Sequence, residues 1–178
     1  AIGMSESYYR DQLYPLQDKV LYCIDKINTP FYLTGGTALS RCYLDHRYSD
    51  DLDFFQNHKD PLTAHPLFSK IDSWENILSN KITALSRNAP KDIVDIVFLS
   101  LKFSFNWEEI IADARRKDAW VNEIVVSKMI YDFNVSQLNE VQWIKKEFRD
   151  LDFSDTLKII ARELLHGFDN SLKGKIKV

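Results

Sequence analysis

FYLTGGTALSRCYLDHRYSDDLDFF, residues 31–55, decides the fold. An apolar run from Phe31 to Leu33 meets a Gly35–Gly36 pair, and a short helical pattern follows from Thr37 to Asp45. A polar turn then leads into a strand over Asp50-Asp51-Leu52-Asp53-Phe54-Phe55. Leu52 and Phe54 alternate there with Asp51, Asp53 and Phe55, and a side-chain period of two puts Asp51 and Asp53 on one face. Two carboxylates side by side repel and cost desolvation unless a cation lies between them. Mg²⁺ suits the place, because it is hard, takes oxygen ligands and keeps phosphate oxygens in its shell. The glycines supply the other half, since a backbone without Cβ lets the amides of a helix start close on a phosphate. Taken singly, the acids also read as solvated charges on an edge strand, and the glycines as a tight turn needing positive φ. Their pairing at this separation is what points to phosphate chemistry.

The totals narrow the class. With 178 residues, one domain with a helical extension is the simplest arrangement, and it can bury a real core. A net charge of -3 argues against a broad basic nucleic-acid face, though it leaves room for a local patch. Cys23 and Cys42 are too few for a disulfide framework and fit a reduced, cytoplasmic protein. No run is apolar enough to span a bilayer, so no membrane partner is expected, and no signal peptide is visible. Ala1-Ile2-Gly3 before Met4 reads as an expression-tag remnant, and residues 1–7 are set aside as a disordered start.

Upstream of the central stretch, Leu13, Leu16, Val20, Ile24 and Ile27 recur at helical spacing, with Pro15 in an early turn. Downstream, residues 56–72 hold Pro61 and Pro66 and no periodicity, which reads as a loop or as the scar of a missing segment. Ser73 is a fitting N-cap for a helix whose Trp74, Ile77, Leu78, Ile82 and Leu85 form one apolar arc. Lys81 falls inside that arc, so it either snorkels outward or delivers its ammonium to an internal site. Pro90 opens a helix that is apolar almost all round and therefore buried. Asp92 and Asp95 share one face of it; Asp92 also suits the dipole of the first turn, whereas Asp95 has no such explanation. Amphipathic helices fill 106–178, capped by Asn106, Asn122, Ser136 (over QLNEVQWIKKEF) and Ser154, with Gly167 as a stop. The fold class is α+β, mostly helical, with a small sheet carrying the acids. It divides into a core over 8–105, in which 56–72 is either a loop or the place of a missing segment, and a helical C-terminal region over 106–178.

Other residues carry plainer readings. His46, His58, His65 and His166 lack metal-ligand spacing and read as loop and surface histidines. Arg47 reads as a structural ion-pair partner, and Trp107, Trp143 and Phe153 as core. Ser40 and Ser49 have no base at a recognisable spacing, so nucleophilic catalysis is not supported.

GGTALS at 35–40 followed by HRYSDDLDFF at 46–55 resembles the AbiEii/AbiGii branch of the DNA polymerase β-like nucleotidyltransferases. NKITALSRNAPKDIVDIVFL at 80–99 resembles the lysine and aspartate motif of the same branch. The resemblance implies that Asp51 and Asp53 hold Mg²⁺ against a nucleoside triphosphate. Gly35, Gly36, Thr37 and Ser49 would surround its phosphates, and Lys81 and Asp92 would complete the catalytic set. An acceptor hydroxyl would attack the α-phosphorus and pyrophosphate would leave, with tRNA, another RNA or a protein as acceptor. Members act as toxins of toxin–antitoxin or phage-defence systems, which implies a cognate antitoxin. The superfamily also places a third carboxylate on a strand between the paired acids and the lysine helix. Here the aspartates of that interval, Asp60 and Asp72, both sit beside turn signals, so either a segment is absent or the usual general base is lacking. In the second case two carboxylates still hold one metal, and activation of the acceptor hydroxyl is slower or falls to Asp92.

The alternative from another class is a non-catalytic nucleotide- or partner-binding domain derived from that fold. A metal-dependent nuclease ranks last, because it would want more carboxylates and no glycine cradle. If RNA is the acceptor, Arg115, Arg116 and Lys117, or Lys173, Lys175 and Lys177, are the available phosphate contacts, although solvated charge at helix and chain ends explains both clusters as well.

Overall fold

The computed structural model describes residues 5–56 and 62–175, which fall into two compact units. The first takes in the chain up to residue 74 together with 142–145, and the second takes in 75–141 and the chain from 146 onward.

In the first unit, Tyr32–Thr34 (β1) lies inside a four-stranded sheet of order β2-β1-β4-β3. Asp53–Phe55 (β2) runs antiparallel beside it, pairing Leu33 with Phe54 and Thr34 with Asp53. Thr63–His65 (β3) and Phe68–Ile71 (β4) form a hairpin, and β4 runs parallel to β1 with Leu33 opposite Ile71. All three β1 residues are buried, as a strand flanked on both sides requires. Part of 56–72, expected to be a loop, is therefore a hairpin. Pro66 sets its turn, and the His65 ring accepts the Leu67 N–H at 3.1 Å. Its buried positions, Phe68 and Ile71, are three apart and show no period of two. Asp60 and His58 lie outside the described residues.

Residues 6–26 form one helix, α1, in which Tyr9–Leu13 is a wider π-helical turn ahead of Tyr14–Lys26. Its apolar stripe is not its buried face. Leu16 is 59% exposed and Ile27 71%, whereas Tyr9, Gln17 and Leu21 are buried. The helix is tied to β4 through Asp25, whose carboxylate accepts from Ser69 N–H at 3.1 Å. Residues 35–44 form α2, starting with Gly35–Ala38 and ending in a π-helical turn, Leu39–Leu44.

The second unit is helical. Trp74–Ala84 (α3) enters it and is followed by Pro90–Lys102 (α4), Trp107–Lys117 (α5), Glu123–Tyr131 (α6), Lys146–Arg149 (α7) and Phe153–His166 (α8). Asp92 through Leu101 of α4 are buried without a break, as its apolar surround predicts, and each fully buried aliphatic or aromatic side chain contributes roughly 1.5–3 kcal/mol. Asn106 and Asn122 cap their helices as expected, and Gly167 ends α8 at φ 65. Asp152, not Ser154, caps α8, accepting from Asp155 N–H. The helix expected after Ser136 is instead a 3-10 stretch, Val135–Glu140, and the short α7, because residues 142–145 leave for the first unit. No helix among the described residues is long and apolar enough to cross a membrane.

Candidate active site

At the end of β1 the chain turns through Gly35 at φ 70, a left-handed conformation that favours glycine. A Cβ on Gly35 would stand 2.3 Å from Asp53 Oδ2, so the carboxylate occupies the space a side chain would need. On Gly36 a Cβ would stand 2.6 Å from an Arg47 guanidinium nitrogen and 3.1 Å from Ser49 Oγ. The two glycines thus separate a carboxylate from a buried cation across one turn of backbone. Thr34 is the N-cap residue of α2, yet its side chain makes no capping bond, because Thr34 Oγ1 donates to Asp72 Oδ2 at 2.6 Å. The first amides of α2 have no carbonyl of their own helix to bond, and the positive end of the helix opens beside Asp53.

The acids are placed differently from the sequence expectation. The strand starts at Asp53, so the period-two rule relates Asp53 to Phe55 and does not reach Asp51, which lies just ahead of β2. Both Asp51 and Asp53 are exposed. Asp72 directly follows β4 and is fully buried, with its amide donating to Leu33 O at 2.9 Å. Asp53 and Asp72 therefore stand on either side of Thr34, one by strand pairing and the other by hydrogen bond. The interval expected to lack a carboxylate on a strand holds one at a strand end. Its sequence signal was weak, since Asp72 reaches β1 only through the parallel pairing of Ile71 with Leu33.

The segment leading to the acids is heavily tethered. His46 is buried, not a surface histidine, and its carbonyl accepts from Ile144 N–H at 3.3 Å. Arg47 is 2% exposed, bridges to Trp143 as an isolated β-pair, and donates from Nη1 to Tyr48 O at 3.0 Å. Thr37 and Ser49 are both buried with their hydroxyls 2.9 Å apart, and Thr37 Oγ1 also donates to Asp51 O. These two hydroxyls hold the acid-bearing segment against α2, so what Thr37 offers a ligand is its amide.

Lys81 and Asp92 belong to the second unit. Lys81 Nζ lies 2.7 Å from Asp92 Oδ1 and 2.8 Å from Asp95 Oδ2, and all three side chains are largely buried. Arg87 adds a 3.3 Å contact to Asp92 Oδ2. Lys81 thus points inward, and Asp95 has its explanation as the second anchor of the ammonium.

Among the described residues no three His, Cys, Asp or Glu side chains close into a set that could hold a metal ion. The donors around the glycine turn nonetheless fit Mg²⁺, which is commonly held through one or two carboxylates with water and substrate phosphate filling the rest of its shell. Asp53 also stands against a helix N-terminus that favours a phosphate, so a phosphate arriving there meets a like charge unless a cation lies between them.

Comparison with known proteins bears on this turn and these acids. Residues 19–77 match the family model "Nucleotidyl transferase AbiEii toxin, Type IV TA system". The match is to the family suggested by GGTALS and HRYSDDLDFF, and it takes in Gly35, Gly36, Asp51, Asp53 and Asp72. It begins after Tyr9 and Gln17 and ends before Lys81 and Asp92. No curated protein and no solved structure matches the chain.

Proposed function

We propose that the chain is a Mg²⁺-dependent nucleotidyltransferase that moves a nucleoside monophosphate from a nucleoside triphosphate to a hydroxyl of RNA or protein, as the toxin of a toxin–antitoxin pair. The observation that carries the reading is the Asp53 carboxylate set against Gly35, beside a helix start whose N-cap residue, Thr34, makes no side-chain capping bond. The amides of Gly36 and Thr37 bind phosphate oxygens, while Thr37 and Ser49 hold the loop through their hydroxyls. Arg47, buried behind Gly36, adds positive potential from beneath the turn. Asp51 and Asp53 would hold Mg²⁺, which when bound neutralises charge on the phosphoryl oxygens and orients the attacking and leaving oxygens. The acceptor oxygen forms a bond to the α-phosphorus, the bond from that phosphorus to the bridging oxygen breaks, and pyrophosphate leaves. Asp72 supplies the third carboxylate that the resemblance calls for, and with it a base for the hydroxyl proton in place of Asp92. Lys81 and Asp92 are assigned, on the resemblance alone, to contacts with the triphosphate or the acceptor.

The test is transfer itself. Protein, Mg²⁺ and each α-labelled nucleoside triphosphate are incubated with total RNA, and separately without it, beside the Asp51→Ala/Asp53→Ala form. Label on RNA or on the protein, lost in the double variant, is the expected result and names the acceptor class. Absence of label from every combination would reject transfer in favour of a binding-only domain.

A further inference from the structure

Gln17 is a long polar side chain buried to 3% exposure in the middle of α1, at a place where the apolar stripe of the sequence assigns nothing. Burying a carboxamide costs free energy unless its donors and acceptor are met, and a leucine there would need no partners. Both ends of this amide are used. Gln17 Oε1 accepts from Arg41 Nη1 at 3.3 Å, and Arg41 belongs to the π-helical turn that ends α2. Gln17 Nε2 donates to Asp50 O at 3.0 Å and to Ser49 O at 3.4 Å, immediately ahead of Asp51. One side chain therefore bridges the helix that starts at the glycine turn and the segment that carries the acids.

Tyr9 supports the same segment. Its hydroxyl donates to Asp50 Oδ1 at 2.7 Å, and its ring stacks on Tyr48 with centroids 4.3 Å apart. Between them Tyr14 accepts the Ser49 N–H at 3.3 Å, and the Arg41 guanidinium lies 4.3 Å above the Tyr14 ring. The π-helical turn explains how one helix presents both anchors. In a regular α-helix, residues eight apart lie roughly 80° apart around the axis, whereas a π turn takes up one extra residue and brings them within roughly 20°. Tyr9–Leu13 is that turn, and Tyr9 and Gln17 face the same loop.

We propose that Gln17, assisted by Tyr9, is a positioning residue that sets the acids at 51 and 53 against the glycine turn. The inference rests on reading that turn as the metal–nucleotide site. Asp53 Oδ2 fits where Gly35 has no side chain, so slippage between α2 and the 48–53 segment misplaces a carboxylate directly. Misplacement by about 1 Å costs on the order of a hundredfold where ligand geometry is demanding.

The test uses the full chain and no acceptor. Mg²⁺ is titrated with an α,β-methylene nucleoside triphosphate, and its effect is read as the rise in melting temperature and as amide hydrogen exchange over 48–53. Wild type is compared with Gln17→Leu, with Tyr9→Phe (which keeps the ring), and with Leu21→Ala, a buried α1 change that lowers stability alone. The half-saturating Mg²⁺ concentration should rise about tenfold in Gln17→Leu and several-fold in Tyr9→Phe, with faster exchange over 48–53 and recovery at excess Mg²⁺. Leu21→Ala should melt lower at an unchanged half-saturation. A Mg²⁺ response in wild type with unchanged half-saturation in both Gln17→Leu and Tyr9→Phe overturns the positioning role, even if exchange rises. A wild-type chain with no Mg²⁺ response overturns the reading of the site and this inference with it.

Discussion

The first unit holds its buried polar groups against strand ends and loops, whereas the second sets buried charges between two helices and ties its last loop to the end of α4 through Asn170. In the first, Gln17, Thr37 and Ser40 bond to carbonyls of residues 47–51, and Thr34 to Asp72, so that backbone from distant parts of the chain is fixed side by side. In the second, α4 packs its hydrophobic residues on every side and carries Asp92 and Asp95, which pair with Lys81. The lesson is a division of labour. Changes at the glycine turn should remove function at modest cost in stability, and changes at the lysine cluster should cost stability first.

The largest expected effect is at Gly35. Gly35→Ala forces a side chain into a left-handed position and onto Asp53 Oδ2, so nucleotide transfer should fall by about a hundredfold or more. The melting temperature should drop by only a few degrees, since the far end of Asp53 can move. Activity near the wild-type level would break the comparison at its centre.

Next is Lys81→Met. It takes the ammonium from between two buried carboxylates, Asp92 keeping its contact with the largely exposed Arg87, and should cost about 3–5 kcal/mol in denaturant unfolding. Lys81→Met/Asp95→Asn should recover more than about 1 kcal/mol of that loss, because the stranded charge is removed. Additive losses would show that the cluster does not act as a unit.

A smaller effect belongs to Asn106, which accepts from Glu108 N–H at 2.9 Å and caps α5. Asn106→Ala should cost about 1 kcal/mol and leave transfer unchanged. The smallest is at Asp113. Burial alone would raise its carboxyl, but hydrogen bonds from Ser79 and Lys117 outweigh that and hold it below the ordinary range. Its contribution is therefore present above the pKa of an unfolded aspartate and lost as pH falls through the depressed folded value. Asp113→Asn should flatten acid unfolding in that window, by no more than about 0.5 kcal/mol once solvent screening is counted.

The helical unit was the more legible in the sequence because its signals are local. Asn106, Asn122, Pro90 and Gly167 each mark a helix end within a few residues of themselves. The α+β class and the glycine turn were equally open to reading. What escaped is non-local. The hairpin over 63–71 has no alternation because Phe68 and Ile71 are buried three apart across an irregular register. Asp72 owes its place to a parallel pairing that no local pattern announces. Gln17 was invisible for a related reason: hydropathy assigns glutamine to water, and only the π-helical turn and the partners brought by residues 41 and 48–50 make it a buried anchor. The stripe of Leu16, Val20 and Ile27 misled in the opposite direction, being regular in sequence and exposed in the fold.

The central claim is that a cation reconciles Asp53 with a phosphate at the start of α2, and calorimetric titration of a nucleoside triphosphate tests it most directly. It would be run with Mg²⁺ and with excess chelator, on wild type and on Asp53→Asn. The account predicts that wild type binds the nucleotide only with Mg²⁺, and that Asp53→Asn binds it in chelator as well, because the opposing charge is gone. Equal binding by wild type with and without Mg²⁺, or an Asp53→Asn chain that still requires the metal as wild type does, would contradict it.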